Sequence, residues 1–128
     1  MSYLLDTHTF LWFVCGDEKL PHWIKTKIED INQPCFLSIA SLWEVTIKQQ
    51  IGKLILDISI KELFKYADVN QIEIIQINYN HLSQLSKLPF HHNDPFDRLI
   101  LSQAISENLS LISKDKEFEK YDTDIIWN

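Results

Sequence analysis

A chain of 128 residues, 45% hydrophobic and 12% aromatic, is long enough to bury one core and too short for two ordinary domains. Its 12 Lys and Arg against 18 Asp and Glu give a formal charge of −6, which excludes a broad, nonspecific attraction to polyanions. Two cysteines, Cys15 and Cys35, are too few for a disulfide framework and stand in no zinc-binding spacing, so both are expected as buried small hydrophobes.

Proline and glycine are scarce, and no repeat, low-complexity run or composition shift marks a linker. One domain over residues 1–128 is expected. The first residues are apolar but lack a basic leader region and carry Asp6 within the run, and no stretch approaches 18 uninterrupted apolar residues. The expectation is a soluble, cytoplasmic protein without a membrane segment.

In chain order, Ser2 to Leu5 reads as a short buried strand. Thr7 to Cys15 reads as a helix that Asp6 can cap and Gly16 can end. A second helix follows Pro21 and carries Trp23, Ile24, Lys27 and Ile28. Pro34 precedes a second strand, Cys35 to Ile39, after which Ser41 is expected to open a helix running toward Gln50 and stopping near Gly52. Ile60, Leu63, Phe64 and Ala67 stand at helical spacing.

Ile72 to Ile77 is rich in β-branched residues and reads as a third strand. A helix through His81, Leu82 and Leu85 follows, ended by Pro89. Asp94-Pro95 announces the clearest helix, with Asp94 as cap, Pro95 at the first position and an apolar stripe of Phe96, Leu99, Ile100, Ala104 and Ile105. Leu109 to Ser113 is a fourth strand, Lys116 to Lys120 a short helix, and Asp124 to Trp127 a fifth strand. This alternation predicts an α/β three-layer sandwich with a mainly parallel sheet of about five strands.

In such a sheet the strand C-termini share one edge, where ligands bind. Asp6 and Asp115 leave strands there, Glu44 is expected in the first turn of the helix after the second strand, and Asp97 opens a helix that starts near the same edge. Singly, each has a capping explanation: Asp6 and Asp115 as N-caps, Ser41 to Glu44 as a capping box, and Asp97 at a positive helix end. Glu44 can also pair with Lys48, and Asp94 with Arg98. Gathered, four carboxylates repel one another by roughly 4 kcal/mol per close pair at an effective dielectric near 20. A divalent cation offsets that repulsion, and oxygen ligands favour Mg²⁺ or Mn²⁺ over zinc.

Leu4-Leu5-Asp6-Thr7-His8, Ser38 through Glu44, Gly52-Lys53-Leu54, Asp94 through Arg98 and Ser113-Lys114-Asp115 stand in an order that resembles the PIN-domain ribonucleases, specifically VapC-type toxins of toxin-antitoxin pairs. The resemblance covers nearly the whole chain. It implies a PIN fold, Mg²⁺- or Mn²⁺-dependent hydrolysis of RNA to a 5′-phosphate and a 3′-hydroxyl, a homodimer, and inhibition by a cognate antitoxin. Carried over by position, Asp6, Glu44, Asp97 and Asp115 match the family's acidic quartet as metal ligands, with Asp6 and Asp97 foremost and Asp115 acting through water or on the nucleophile.

Thr7 and Ser113 can hydrogen-bond a ligand carboxylate or phosphate, and Lys48, Lys53 and Arg98 can contact RNA phosphate, although local bonding or solvation explains each as well. Trp12, Trp43 and Phe96 suit the core or an interface before base stacking. His8, His91 and His92 lie in or near the expected site, where structural roles or roles around the metal ligands are expected before essential catalysis. Two other readings remain: a haloacid-dehalogenase-like phosphatase, whose second aspartate would fall where His8 stands, and a nonenzymatic α/β partner-binding module. Two glycines leave no phosphate cradle for a nucleotide.

Overall fold

In a computed structural model that describes residues 1–127, five strands form one sheet: β1 (Tyr3–Leu5), β2 (Cys35–Ser38), β3 (Ile72–Ile75), β4 (Ser110–Ile112) and β5 (Ile125–Ile126). Their order is β3-β2-β1-β4-β5, and every pairing is parallel. Parallel neighbours require crossovers, and six helices supply them: α1 (Thr7–Cys15), α2 (His22–Glu29), α3 (Ile39–Gln50), α4 (Ile60–Val69), α5 (Tyr79–Ser86) and α6 (Pro95–Ser106). A 3-10 helix (Lys116–Lys120) joins β4 to β5.

The central strand shows why the layers form. Tyr3, Leu4 and Leu5 are all buried, yet alternate residues face opposite sides. Tyr3 and Leu5 join a core built with Phe10 of α1, Ile24 of α2, Leu42 of α3 and Leu63 of α4. Leu4 joins Leu111 in a second core with Ile100, Leu101 and Ala104 of α6 and Phe118 of the 3-10 helix. The sandwich is therefore α1–α4, sheet, then α5 and α6, as the alternating pattern predicts.

Register places the functional edge. Leu5 of β1 is level with Leu37 of β2 and with Ile112 of β4, so the next residues, Asp6, Ser38 and Ser113, emerge side by side. Asp6 caps α1 by accepting from the Thr9 amide at 2.8 Å, and Gly16 ends that helix in the left-handed region at φ 64°. Gly52 closes the turn after α3 with φ 73°.

Three local expectations are corrected. Ser38, rather than Ser41, caps α3, because β2 runs directly into the helix; Ser41 is buried inside it, the Ser41 to Glu44 capping box does not form, and Glu44 falls in the second turn. Cys35 is buried as expected, its thiol pushed up to about 11 by burial and by Asp30, but Cys15 at the end of α1 is exposed. Asp94 caps α6 through bonds from the Phe96 and Asp97 amides, while the Arg98 guanidinium turns away to backbone carbonyls instead of pairing with it. No helix among the described residues is long and apolar enough to cross a membrane.

Candidate metal centre

Asp6 is anchored at both oxygens. Its Oδ1 receives the Thr9 amide and its Oδ2 the Ser113 hydroxyl, and the side chain is buried. Burial pushes the carboxyl above its ordinary range, against the opposing hydrogen bonds from Ser113 and Thr9. Ser113 also accepts from the Asp115 amide at 3.1 Å, so one hydroxyl joins the first and last acids of the quartet. Asp115 caps the 3-10 helix by accepting from the Glu117 amide at 3.0 Å.

Glu44 is likewise committed. Its Oε1 receives the Thr7 hydroxyl at 2.8 Å and its Oε2 the Lys48 ammonium at 2.7 Å. Lys48, one turn on, is pushed up mainly by that bond, with the charges of Glu44, Asp94 and Asp97 adding. Thr7 lies 3.0 Å from the Ser41 hydroxyl, which completes a buried polar seam between α1 and α3.

Asp97, in the first turn of α6, is the most perturbed acid. Burial first, then the charges of Asp94 and Glu44, with Asp6 adding, push its carboxyl up to about 7, and His92 opposes them. A carboxylate so placed gains more from a cation than one in water. Its Oδ2 stands 3.0 Å from His92 Nε2, and Asp115 Oδ2 stands 3.3 Å from the same nitrogen. Ligand atoms of His92, Asp97 and Asp115 all lie within 4.8 Å of one another.

Of the four acids expected to converge, Asp97 and Asp115 come within ligating reach of each other, while Asp6 and Glu44 stand outside that group among the described residues. Asp6 reaches Asp115 through Ser113, and Glu44 reaches Asp97 by charge across the edge. The donor set fits a hard divalent cation, because carboxylate oxygens dominate it and no thiol joins it. Of the residues assigned to substrate, Thr7 and Ser113 are buried and bind carboxylates. Arg98 is buried and donates to the carbonyls of Leu88, Pro89 and His92, with its guanidinium 3.8 Å from the Phe90 ring centroid. Lys48 is half-exposed and Lys53 exposed.

His92, placed by the sequence only in or near the site, is the third member of the group with Asp97 and Asp115. Its one signal in the sequence is position, two residues before the cap that starts α6. His91 instead packs its ring on Tyr121 at 5.1 Å, and His8 is exposed beside Trp12. Trp43 stacks edge-on against Phe96 at 5.0 Å, linking α3 to α6 beside the acids.

The family model described as PIN domain matches residues 3–124. No curated protein matches the chain. Among solved structures, the fold is similar to a chain of VapBC2 from Rickettsia felis bound to a DNA fragment from their promoter, at TM-score 0.72 and 20% identity, covering 100% of both chains. It is similar to a chain of VapBC-1 from nontypeable Haemophilus influenzae at TM-score 0.68 and 19% identity, over 98% of this chain and 97% of that one. A chain of a toxin-antitoxin complex from Klebsiella pneumoniae aligns at TM-score 0.66 and 16% identity, over 98% and 96%.

Proposed function

The chain belongs to the PIN-domain family, and from that premise we propose that it is a Mg²⁺- or Mn²⁺-dependent ribonuclease, a single PIN domain acting as the VapC-type toxin of a toxin-antitoxin pair. The observation that carries this reading is the meeting of Asp97 and Asp115 at the sheet edge, with Asp6 tied to them through Ser113. The cation would be held by Asp97, Asp115 and Asp6, with Glu44 completing the negative field. When bound, it supplies charge neutralisation on the phosphodiester and activation of water.

The chain's own residues do the rest. Ser113 orients Asp6, and Thr7 with Lys48 orients Glu44, so neither carboxylate needs to reorganise as substrate arrives. Lys48 and Lys53 stand on and just beyond the C-terminal end of α3 and would offset backbone phosphate on a chain whose net charge is −6. Thr7, Ser113 and Arg98 act from within the protein rather than on RNA.

An antitoxin chain is the proposed partner and a homodimer the proposed state, in the cytoplasm. Partly exposed Phe64, Tyr66 and Val69 on α4 offer apolar surface to cover. The phosphatase reading loses its second acid to an exposed His8, and the nonenzymatic module leaves the perturbed Asp97 without a purpose.

The test is cleavage of a mixed RNA pool by the wild type and the Asp6→Asn and Asp97→Asn variants, with and without Mg²⁺ or Mn²⁺. Cleavage that needs the cation, disappears in both variants and leaves a 5′-phosphate and 3′-hydroxyl is expected. Cleavage that survives chelation, or is unchanged by Asp97→Asn, refutes the proposal. Copurification with the product of a small adjacent reading frame tests the partner, and light scattering tests the dimer.

A further inference from the structure

We infer that His92 is a positioning residue of the metal centre: as an Nε2–H donor it holds Asp97 and Asp115 at ligating separation and does not itself ligate the cation. This rests on the reading above that these acids bind a divalent ion.

The tautomer follows from hydrogen bonding. His92 Nδ1 accepts from the Asp94 amide at 3.2 Å, so the ring proton sits on Nε2. That N–H donates to Asp115 Oδ2 at 3.3 Å, and the same nitrogen stands 3.0 Å from Asp97 Oδ2. Ligation by Nε2 would move the proton to Nδ1, where it would face the Asp94 amide donor to donor. The arrangement therefore favours a donor that steers two carboxylates, the role outer groups play around metal ligands.

The imidazole is held as a positioning group requires. The His92 amide donates to Tyr121 Oη at 2.8 Å, its carbonyl receives Arg98 Nη1 at 3.3 Å, and its ring packs 5.8 Å from Phe118. Asp94 serves twice: its side chain caps α6, which sets Asp97, and its amide orients His92, which meets Asp97 from the other side. Buried Arg98, with no carboxylate partner among the described residues, has a purpose in this frame: it fixes the loop that carries the imidazole.

The test uses the full chain, Mn²⁺ alone as the probe, and the His92→Ala and His92→Gln variants. Free Mn²⁺ measured by electron paramagnetic resonance should show affinity falling about 10–100-fold in His92→Ala. Part of that loss should return in His92→Gln, whose amide N–H reaches a similar point. Pulsed resonance of the wild-type complex should show no imidazole nitrogen coupling that vanishes in His92→Gln. Long-range ¹H–¹⁵N spectra of the metal-free wild type at about pH 8 should show the Nε2–H tautomer.

Unchanged Mn²⁺ affinity in His92→Ala, a His92-dependent nitrogen coupling, or an Nδ1–H tautomer each overturns the inference. If His92→Ala fails to fold, the wild-type coupling and tautomer still decide. A wild type that binds Mn²⁺ in this His92-dependent way yet cleaves no RNA leaves the inference standing and removes the ribonuclease reading. A wild type that does not bind Mn²⁺ removes the centre and the inference together.

Discussion

Replacing Asp97 by asparagine should make the metal-free protein more stable at alkaline pH, although it removes a proposed metal ligand. Asp97 is held at about 7 in the fold against an ordinary value of 3.8, because burial and the charges of Asp94 and Glu44 disfavour its ionised form. The folded state therefore binds the proton more tightly than the unfolded chain. Stability from this group is full below about pH 4 and is lost as pH rises through about 7. At 1.36 kcal/mol per pH interval, the loss reaches ~4 kcal/mol by about pH 8. The substituted amide carries no such charge, so Asp97→Asn should gain about 1–4 kcal/mol at pH 8, after allowing for imperfect replacement of the carboxyl. Near pH 4.5 the gain should shrink to about 1 kcal/mol or less, because the folded wild-type group is protonated and that pH lies only just above the group's ordinary value. Urea unfolding in chelator at both pH values measures this directly, and added Mn²⁺ should reverse the order by stabilising only the wild type. A variant less stable than wild type at pH 8 without metal, or a difference that ignores pH, would refute the electrostatic account of the cluster.

Three further outcomes follow from the same contacts. Ser113→Ala removes the hydroxyl between Asp6 and Asp115 and should cost about 1–3 kcal/mol in urea unfolding at neutral pH, with weakened Mn²⁺ binding; an unaltered Mn²⁺ isotherm would show that the bridge does not organise the acids. Lys48→Met should lower the log–log salt slope of RNA binding by about 0.7, as expected for one lost phosphate contact on a single strand, and an unchanged slope would restrict Lys48 to its pair with Glu44. Arg98→Lys should lose about 1–3 kcal/mol of stability, because one ammonium cannot serve the carbonyls of Leu88, Pro89 and His92 together; unchanged stability with weaker RNA binding would return Arg98 to the substrate surface.

Much of the architecture is visible in local chemistry. Asp6 before an apolar helix, Asp94 before Pro95, and the β-branched run at Ile72 each state an element by capping, ring geometry or side-chain shape, and these forces act over a few residues. Boundaries failed where the chain passed from strand to helix without a loop. Ser38 and Ser41 are equally good caps by composition, and only the pairing of β2 with its neighbours, which ends at Ser38, selects between them.

The acids follow the same division. Their residue type and their places after strands or at helix starts were enough to assign them to one edge, because parallel strands must all end there. Their partners were not legible, since each arises from contact between distant segments. Ser113 reaches Asp6 because β1 and β4 are adjacent and in register, Thr7 reaches Glu44 across α1 and α3, and Arg98 is drawn into a loop of free carbonyls instead of pairing with Asp94. His92 illustrates the limit most clearly, for its role depends on which ring nitrogen meets the Asp94 amide. Composition and periodicity determine the layers, because burial and capping are local or averaged properties. Tertiary structure decides which hydroxyl, ammonium or imidazole meets each carboxylate, because hydrogen bonds require ångström-scale approach that no spacing along the chain specifies.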